Sequence, residues 1–252
     1  MNSKVILGAA LIVLAASIAG GGFYGVRVSS KEPLDPLTLC PMRTSGSVTI
    51  VIIDKTDPLT PVEQEKARRI VERERDAAQR GDRVIVKMLK QAQGTANVVL
   101  ETVVNLCNPG SEANPFFENP KRVALRYRQA FVEPIAAALA SVEGQSSAPS
   151  SPIARSIQSA IDELNEAPKH LKLLLISDLM EHNAGVSAYN GSFRLDEIRK
   201  LLTPQLQSRL GGAAVEILLL PRPRYAPQQE AALKVWRLFF KEVSGAEPSV
   251  IR

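Results

Sequence analysis

Two aspartates follow two of the most apolar runs in this 252-residue sequence. Asp54 closes VTIVII (48–53), and Asp178 comes directly after LKLLLIS (171–177). Thr56, Asp57 and Pro58 follow the first aspartate, and Ser151 stands just before a helical stretch that opens at Pro152. Carboxylate and hydroxyl oxygens are what a hard cation such as Mg2+ takes in its octahedral shell. Side chains two residues apart in extended chain point the same way, so Asp54 and Thr56 can share one crevice. Asp178 and Ser151 can close it, which makes Asp54, Thr56, Ser151 and Asp178 the candidate metal ligands. Each residue also has a plainer use. An aspartate at a strand end caps a helix or bonds a loop, Thr56 is a turn residue, and Ser151 is a good helix N-cap.

The elements that must position these groups are read from patterning. Residues 48–53 are β-branched almost throughout, as suits a strand buried on both faces. Thr60-Pro61-Val62-Glu63 is a capping box with proline at the first helical position. The helix it opens runs to about residue 80, with Gly81 as its terminal cap. Its mixed charges, such as Glu65 and Arg69 four apart, read as a solvated face. RVIVKMLK (83–90) and NVVLETVVNL (97–106) are strands joined by a short link containing Gly94, hence a hairpin. Residues 120–142 read as a helix that Pro134 bends or restarts. Further helices are read at 152–166, at 193–210 with a division at Pro204, and at 226–243. The remaining strands are 171–176 and 214–220, and the tail from residue 244 reads as loose.

Strands alternating with helices imply an open, doubly wound, mostly parallel α/β sheet with helices on both faces and one antiparallel hairpin at an edge. Ligands of such sheets bind beyond the carboxyl ends of the strands, where the strand order reverses. Both Asp54 and Asp178 lie at such ends. The element order, with Asp54 and Thr56 after the first strand, Ser151-Pro152-Ile153 before a middle helix and Asp178 after a later strand, resembles the von Willebrand factor A domain. The resemblance covers residues 48–243. It implies a metal-ion-dependent adhesion site, an Mg2+ ion as cofactor and a protein partner held at the rim. One departure stands out: the last hydroxyl of the family's first motif is replaced by Pro58, which has no side-chain oxygen. Either Asp57, Thr60 or a water supplies the missing ligand, or the site is degenerate and the domain binds partners without metal.

Composition narrows the alternatives. The chain is 45% hydrophobic and 23% charged, which fits a globular domain and excludes a disordered chain or a disulfide-dense miniprotein. The charge of +5 is scattered, with no basic run interleaved with aromatics, so nucleic acid is not an expected partner. Two histidines and two cysteines leave little for a zinc site. There is no phosphate-binding Gly-rich loop and no Gly-x-Ser-x-Gly elbow. The haloacid-dehalogenase-like pattern needs an aspartate where Thr56 stands. The expectation is therefore a binding module and not an enzyme. A metal-dependent hydrolase or phosphatase on a similar sheet is the runner-up, and a scaffold subunit of an envelope assembly the third reading.

The termini place the domain. Residues 5–28 are apolar, with no charge before Arg27, and about twenty such residues span a bilayer. Residues 1–28 are read as an uncleaved signal anchor, 29–47 as a tether with Pro33, Pro36 and Pro41, 48–243 as the domain and 244–252 as a tail. In a bacterium this arrangement leaves the domain in the periplasm, held by a single pass in the inner membrane. Cys40 and Cys107 then lie in an oxidising compartment. On the inferred topology both sit at the sheet end opposite Asp54. A bridge between them closes a ring of about 68 residues and contributes on the order of 4 kcal/mol.

Overall fold

The structure is a computed structural model that describes residues 32–43, 46–115, 118–140, 147–164, 166–191 and 193–252. The chain divides into two units, Met1–Pro33 and Leu34–Arg252, and every element below belongs to the second. The apolar run 5–28 lies outside the described residues. Among the described residues no helix is long and apolar enough to cross a membrane.

The strands are β1 (Val48–Asp54), β2 (Arg83–Gln91), β3 (Val98–Cys107), β4 (Leu171–Ser177), β5 (Ala214–Leu219) and β6 (Ser249–Ile251). They form one sheet in the order β3-β2-β1-β4-β5-β6. All neighbours are parallel except β2 and β3, which form the expected antiparallel edge hairpin. The fold is thus an open, mostly parallel α/β sheet with helices on both faces. β1 is central, flanked by β2 on one side and β4 on the other, so the strand order reverses beside it.

The β-branched and aliphatic runs follow from burial on both faces. Ile50 and Ile52 of β1 pack with Leu173 and Leu175 of β4 into one core layer, together with Trp236, Phe239 and Phe240. Val51 and Ile53 face the other layer with Leu174, Ile176, Phe131 and Ile135. Period-two alternation sends successive side chains to opposite layers, and both layers are dry. In β2 the apolar run is broken by Lys87, which is 1% exposed. Its Nζ donates to Thr102 Oγ1 at 2.6 Å and to Glu163 Oε2 at 2.5 Å, so the buried charge is bonded on two sides.

The helices are α1 (Pro61–Ala77), α2 (Pro120–Tyr127), α3 (Glu133–Ala140), α4 (Ile153–Asp162), α5 (Leu195–Leu201), α6 (Pro204–Leu210) and α7 (Ala226–Ser244). The capping box of α1 forms as read, with Thr60 and Glu63 bonded to each other's backbone N–H. Glu65 and Arg69 pair on the exposed face at 2.6 Å. Glu74, on the same helix, is buried and accepts from Lys172 Nζ of β4 at 2.8 Å, so part of the helix charge fastens α1 to the sheet.

Several local expectations are corrected. α1 ends at Ala77 with Ala78 as an extended cap, while Gly81, at φ 87°, serves the turn into β2. Residues 128–132 form one π-helical turn between α2 and α3. It ends two residues before Pro134, whose ring lacks an N–H and would clash with the carbonyl four residues back in a regular helix. α4 is shorter than read, ending at Asp162. The tail expected to be loose carries β6, which extends the sheet beyond β5. Residues 34–41 fold back on themselves through a bridge between Leu34 and Pro41, and Thr38 O accepts from the Cys107 N–H at 2.7 Å.

Candidate functional site

Asp54 ends β1 at the middle of the sheet and is 4% exposed. Four donors converge on its carboxylate. Oδ1 accepts from the Thr56 N–H at 3.0 Å and from Thr56 Oγ1 at 2.6 Å. Oδ2 accepts from Ser177 Oγ at 2.8 Å and from Ser151 Oγ at 3.2 Å. Three chain segments therefore meet on one buried charge. Asp54, Thr56 and Ser151, singled out from the sequence, are brought together. Ser177 was missed, although a serine closing an otherwise aliphatic strand next to Asp178 was a usable signal.

Ser151 reaches Asp54 without capping a helix. The N-cap of α4 is Pro152, with no side-chain cap bond. Ser151 instead exchanges backbone bonds with His182, N–H to carbonyl, at 2.7 and 2.9 Å. The free amides of the first turn of α4 are served from the loop after β4. Glu181 Oε2 accepts from the Ala154 N–H at 2.8 Å, and its Oε1 accepts from Asn183 Nδ2 at 2.8 Å. Glu181 is fully buried, and burial pushes its carboxyl up to about 7 against the pull of those two bonds. His182 is half-buried, with Nδ1 3.0 Å from Ser187 Oγ.

Asp178 follows β4 and is also 4% exposed. Its Oδ1 accepts from the Met180 N–H at 2.9 Å. Burial, reinforced by the charge of Asp54, lifts its carboxyl to about 7, and the guanidinium of Arg222 offsets part of that rise. Arg222 Nε lies 2.9 Å from Asp178 Oδ2. The next residue, Leu179, is fully buried at φ 64°, an uncommon conformation for a branched aliphatic residue. The turn is held by its N–H, which donates to Ser177 Oγ at 2.9 Å, and by its carbonyl, which accepts from Trp236 Nε1 at 3.1 Å.

Arg222 was not recognised from the sequence. It sits in Pro221-Arg222-Pro223, immediately beyond the buried end of β5, and a basic residue fixed between prolines at a strand's carboxyl end was the available sign. Its Nη1 donates to Glu63 Oε1 at 2.9 Å, and its Nε is 3.9 Å from Asp57 Oδ2. Glu63 is the capping-box residue of α1, and its other oxygen accepts from the Thr60 N–H at 2.8 Å. Buried Gln229 of α7 holds the backbone beneath. Its Oε1 accepts from the Arg222 N–H at 3.0 Å, and its Nε2 donates to the carbonyls of Asp178 at 2.9 Å and Leu220 at 2.7 Å. Burial works against the charged guanidinium, but Asp178 and Glu63 outweigh it and hold Arg222 above its ordinary pKa.

Aromatic residues border this floor. Tyr189 is edge-on to Tyr225 with centroids 4.9 Å apart and to His182 at 5.6 Å. Its hydroxyl donates to Asp57 Oδ2 at 3.4 Å. Burial, with the charges of Asp178 and Asp57, raises the Tyr189 pKa further and keeps that hydroxyl protonated. Arg224 lies over the Tyr225 ring at 5.4 Å.

The divalent ion implied by the resemblance does not fit the residues as arranged. Both oxygens of Asp54 already accept two bonds each, Asp178 is paired with a guanidinium, and Pro58 has no ligand oxygen. Every buried side-chain polar atom among the described residues has a partner. Among the same residues, no three His, Cys, Asp or Glu side chains are grouped to hold a metal.

The cysteines lie at the opposite end of the sheet. Asp54 pairs in register with Leu89, third from the end of β2, whereas Cys107 pairs with Arg83 at its start. Cys40 and Cys107 form a disulfide across 67 residues with their Cα atoms 4.7 Å apart.

No family model matches the chain, and no curated protein matches it. Solved structures do align with it. The conserved hypothetical protein BatB from Bacteroides thetaiotaomicron is 15% identical at a TM-score of 0.38, over 71% of this chain and 69% of its own. The ArnB paralog VWA2 from Sulfolobus acidocaldarius is 9% identical at 0.41, over 82% of this chain and 42% of its own. A von Willebrand factor type A structure from Catenulispora acidiphila is 13% identical at 0.39, over 80% of this chain and 42% of its own. The chain thus spans less than half the length of the latter two, both von Willebrand factor A proteins. The fold class itself rests on the strand order and connectivity described above.

Proposed function

We propose that this chain is a membrane-anchored, extracytoplasmic protein-binding module within an envelope-associated assembly. Residues 1–28 are its anchor and 29–47 its tether, the part from Leu34 being folded and bridged onto β3, and the binding domain runs from 48 through β6. In a bacterium the anchor crosses the inner membrane once and the domain faces the periplasm. The observation that carries the binding role is the rim above Asp54 and Asp178. Half-buried Tyr189, Tyr225 and Arg222 stand there with exposed Arg224, over a floor whose carboxylates are already bonded. Tyrosine and arginine supply much of the energy at protein interfaces, because they bury large area and keep a polar end for a partner. The hydroxyls below them all donate to Asp54 and are under 10% exposed, so they set positions and are not presented for reaction. The disulfide supports an oxidising compartment.

The test is a photo-crosslinking residue placed at Arg224 in cells that make the full chain, with the same residue at exposed Lys234 of α7 as the control. A protein adduct from position 224, absent from 234 and lost when Tyr225→Ala is added, is the expected result. Equal adducts from both positions, or none from 224, would overturn the rim as the binding surface. Repeating the experiment in EDTA reads out the divalent-ion dependence implied by the resemblance. Protease added to intact spheroplasts should digest the domain; protection until lysis would overturn the topology.

A further inference from the structure

Four acidic side chains, Asp54, Asp57, Glu63 and Asp178, surround the rim, and one guanidinium lies among them. We propose that Arg222 is the resident cation of this rim, standing in the role that the family resemblance gives to a divalent ion, and that it closes the site to Mg2+ and Mn2+.

Three independent features fix Arg222 in that role. Pro221 and Pro223 restrict the backbone on either side of it. Gln229 accepts from its N–H at 3.0 Å while donating to the carbonyl of Asp178, so arginine and aspartate are located by the same amide side chain. The guanidinium then divides its donors, Nε toward Asp178 at 2.9 Å and Nη1 toward Glu63 at 2.9 Å. It thereby links the end of β4 to the start of α1, the kind of bridge between separate chain segments that a bound ion provides. A divalent ion entering here would displace a cation held by two carboxylates or settle beside a like charge. It would also find both oxygens of Asp54 engaged by hydroxyl and amide donors, and Pro58 without an oxygen. Pro58 and Arg222 therefore act in one direction: the first removes a ligand and the second supplies a fixed positive charge. A guanidinium does not deprotonate in proteins, so this cation is present at every physiological pH and at any ion supply.

The proposal concerns the same rim as the binding role but does not need a partner, so its test is separate. The purified full chain in detergent is titrated with Mn2+, read by paramagnetic resonance, and with Mg2+, read by calorimetry. Wild type is expected to show no saturable uptake and no change of melting temperature on adding EDTA. Arg222→Lys keeps the charge and is expected to behave the same way. Arg222→Met combined with Pro58→Ser removes the charge and restores a hydroxyl. That variant is expected to show saturable Mn2+ uptake under the conditions in which wild type shows none. Saturable uptake by wild type, or by Arg222→Lys, overturns the proposal whether or not the double variant folds. A double variant that is folded by circular dichroism and still takes up no ion overturns the closing role of Arg222.

Discussion

Asp54 accepts four bonds in a space nearly closed to solvent, and three of its four donors are hydroxyls. Removing the acceptor leaves those hydroxyls and the Thr56 amide to find partners among groups that are already engaged. Asp54→Ala is therefore expected to lower stability by about 2–3 kcal/mol, measured by urea unfolding, with Thr56→Ala costing less because Asp54 keeps its other donors. Glu181 gives the rim a pH dependence of definite sign. Its folded pKa, about 7, lies above the ordinary value of 4.5, so the folded state holds a proton that the unfolded chain releases. The stabilisation is complete below about pH 4.5 and is lost as pH rises through 7. The melting temperature of wild type should fall between pH 5 and 8, and Glu181→Gln should flatten that slope whatever it does to absolute stability. At this scale Asp54, Thr56, Ser151 and Asp178 were legible because each ends a strand or precedes a helix, where function in α/β sheets is expected. Arg222 was not, because its meaning depends on Glu63, 159 residues earlier in the chain, and on Asp178. Nothing local to Pro221-Arg222-Pro223 announces those partners.

Elements buried on both faces were easy to read, since the same apolar run serves both core layers. β1, β2, β4 and β5 were found for this reason, and the hairpin was found from its short Gly-containing link. β6 was hidden: three residues after Pro248 carry too little pattern, and their pairing comes from the exposed edge of β5. The π turn was hidden as well, because proline announces a bend but not how the helix absorbs it. α7 shows how an element far from the rim in sequence holds the rim in place. Trp236 is fully buried against Phe193, Phe239 and Phe240, and its indole N–H fixes the carbonyl of Leu179, one residue after Asp178. Trp236→Ala is expected to cost about 3–5 kcal/mol in chemical denaturation. It should also speed hydrogen exchange at the amides of Leu179 and Met180, a local effect that simple loss of core volume would not concentrate there.

Over the whole molecule, the disulfide and the rim occupy opposite ends of the sheet. Replacing both cysteines by serine should lower stability by about 4 kcal/mol, read as an earlier urea midpoint with an intact rim. The expected migration difference between oxidised and reduced chain on gels would follow from the same ring. The position of the bridge has a mechanical meaning too. Tension arriving along the chain from before Leu34 reaches Cys40 ahead of β1, and the bond to Cys107 passes it to the end of β3 at the edge of the sheet. The central strand, which carries Asp54, lies inside the covalent ring and off the direct line of load. If the domain is drawn out from its two ends, the chain between the cysteines, a sequence separation of 67, cannot extend while the bond holds, which withholds roughly 230 Å of chain at about 3.5 Å per residue. A pull on this molecule thus takes apart β6, β5 and β4, which lie outside the ring, before it can extend β1, so Arg222 and Asp178 leave the rim while Asp54 stays on its strand.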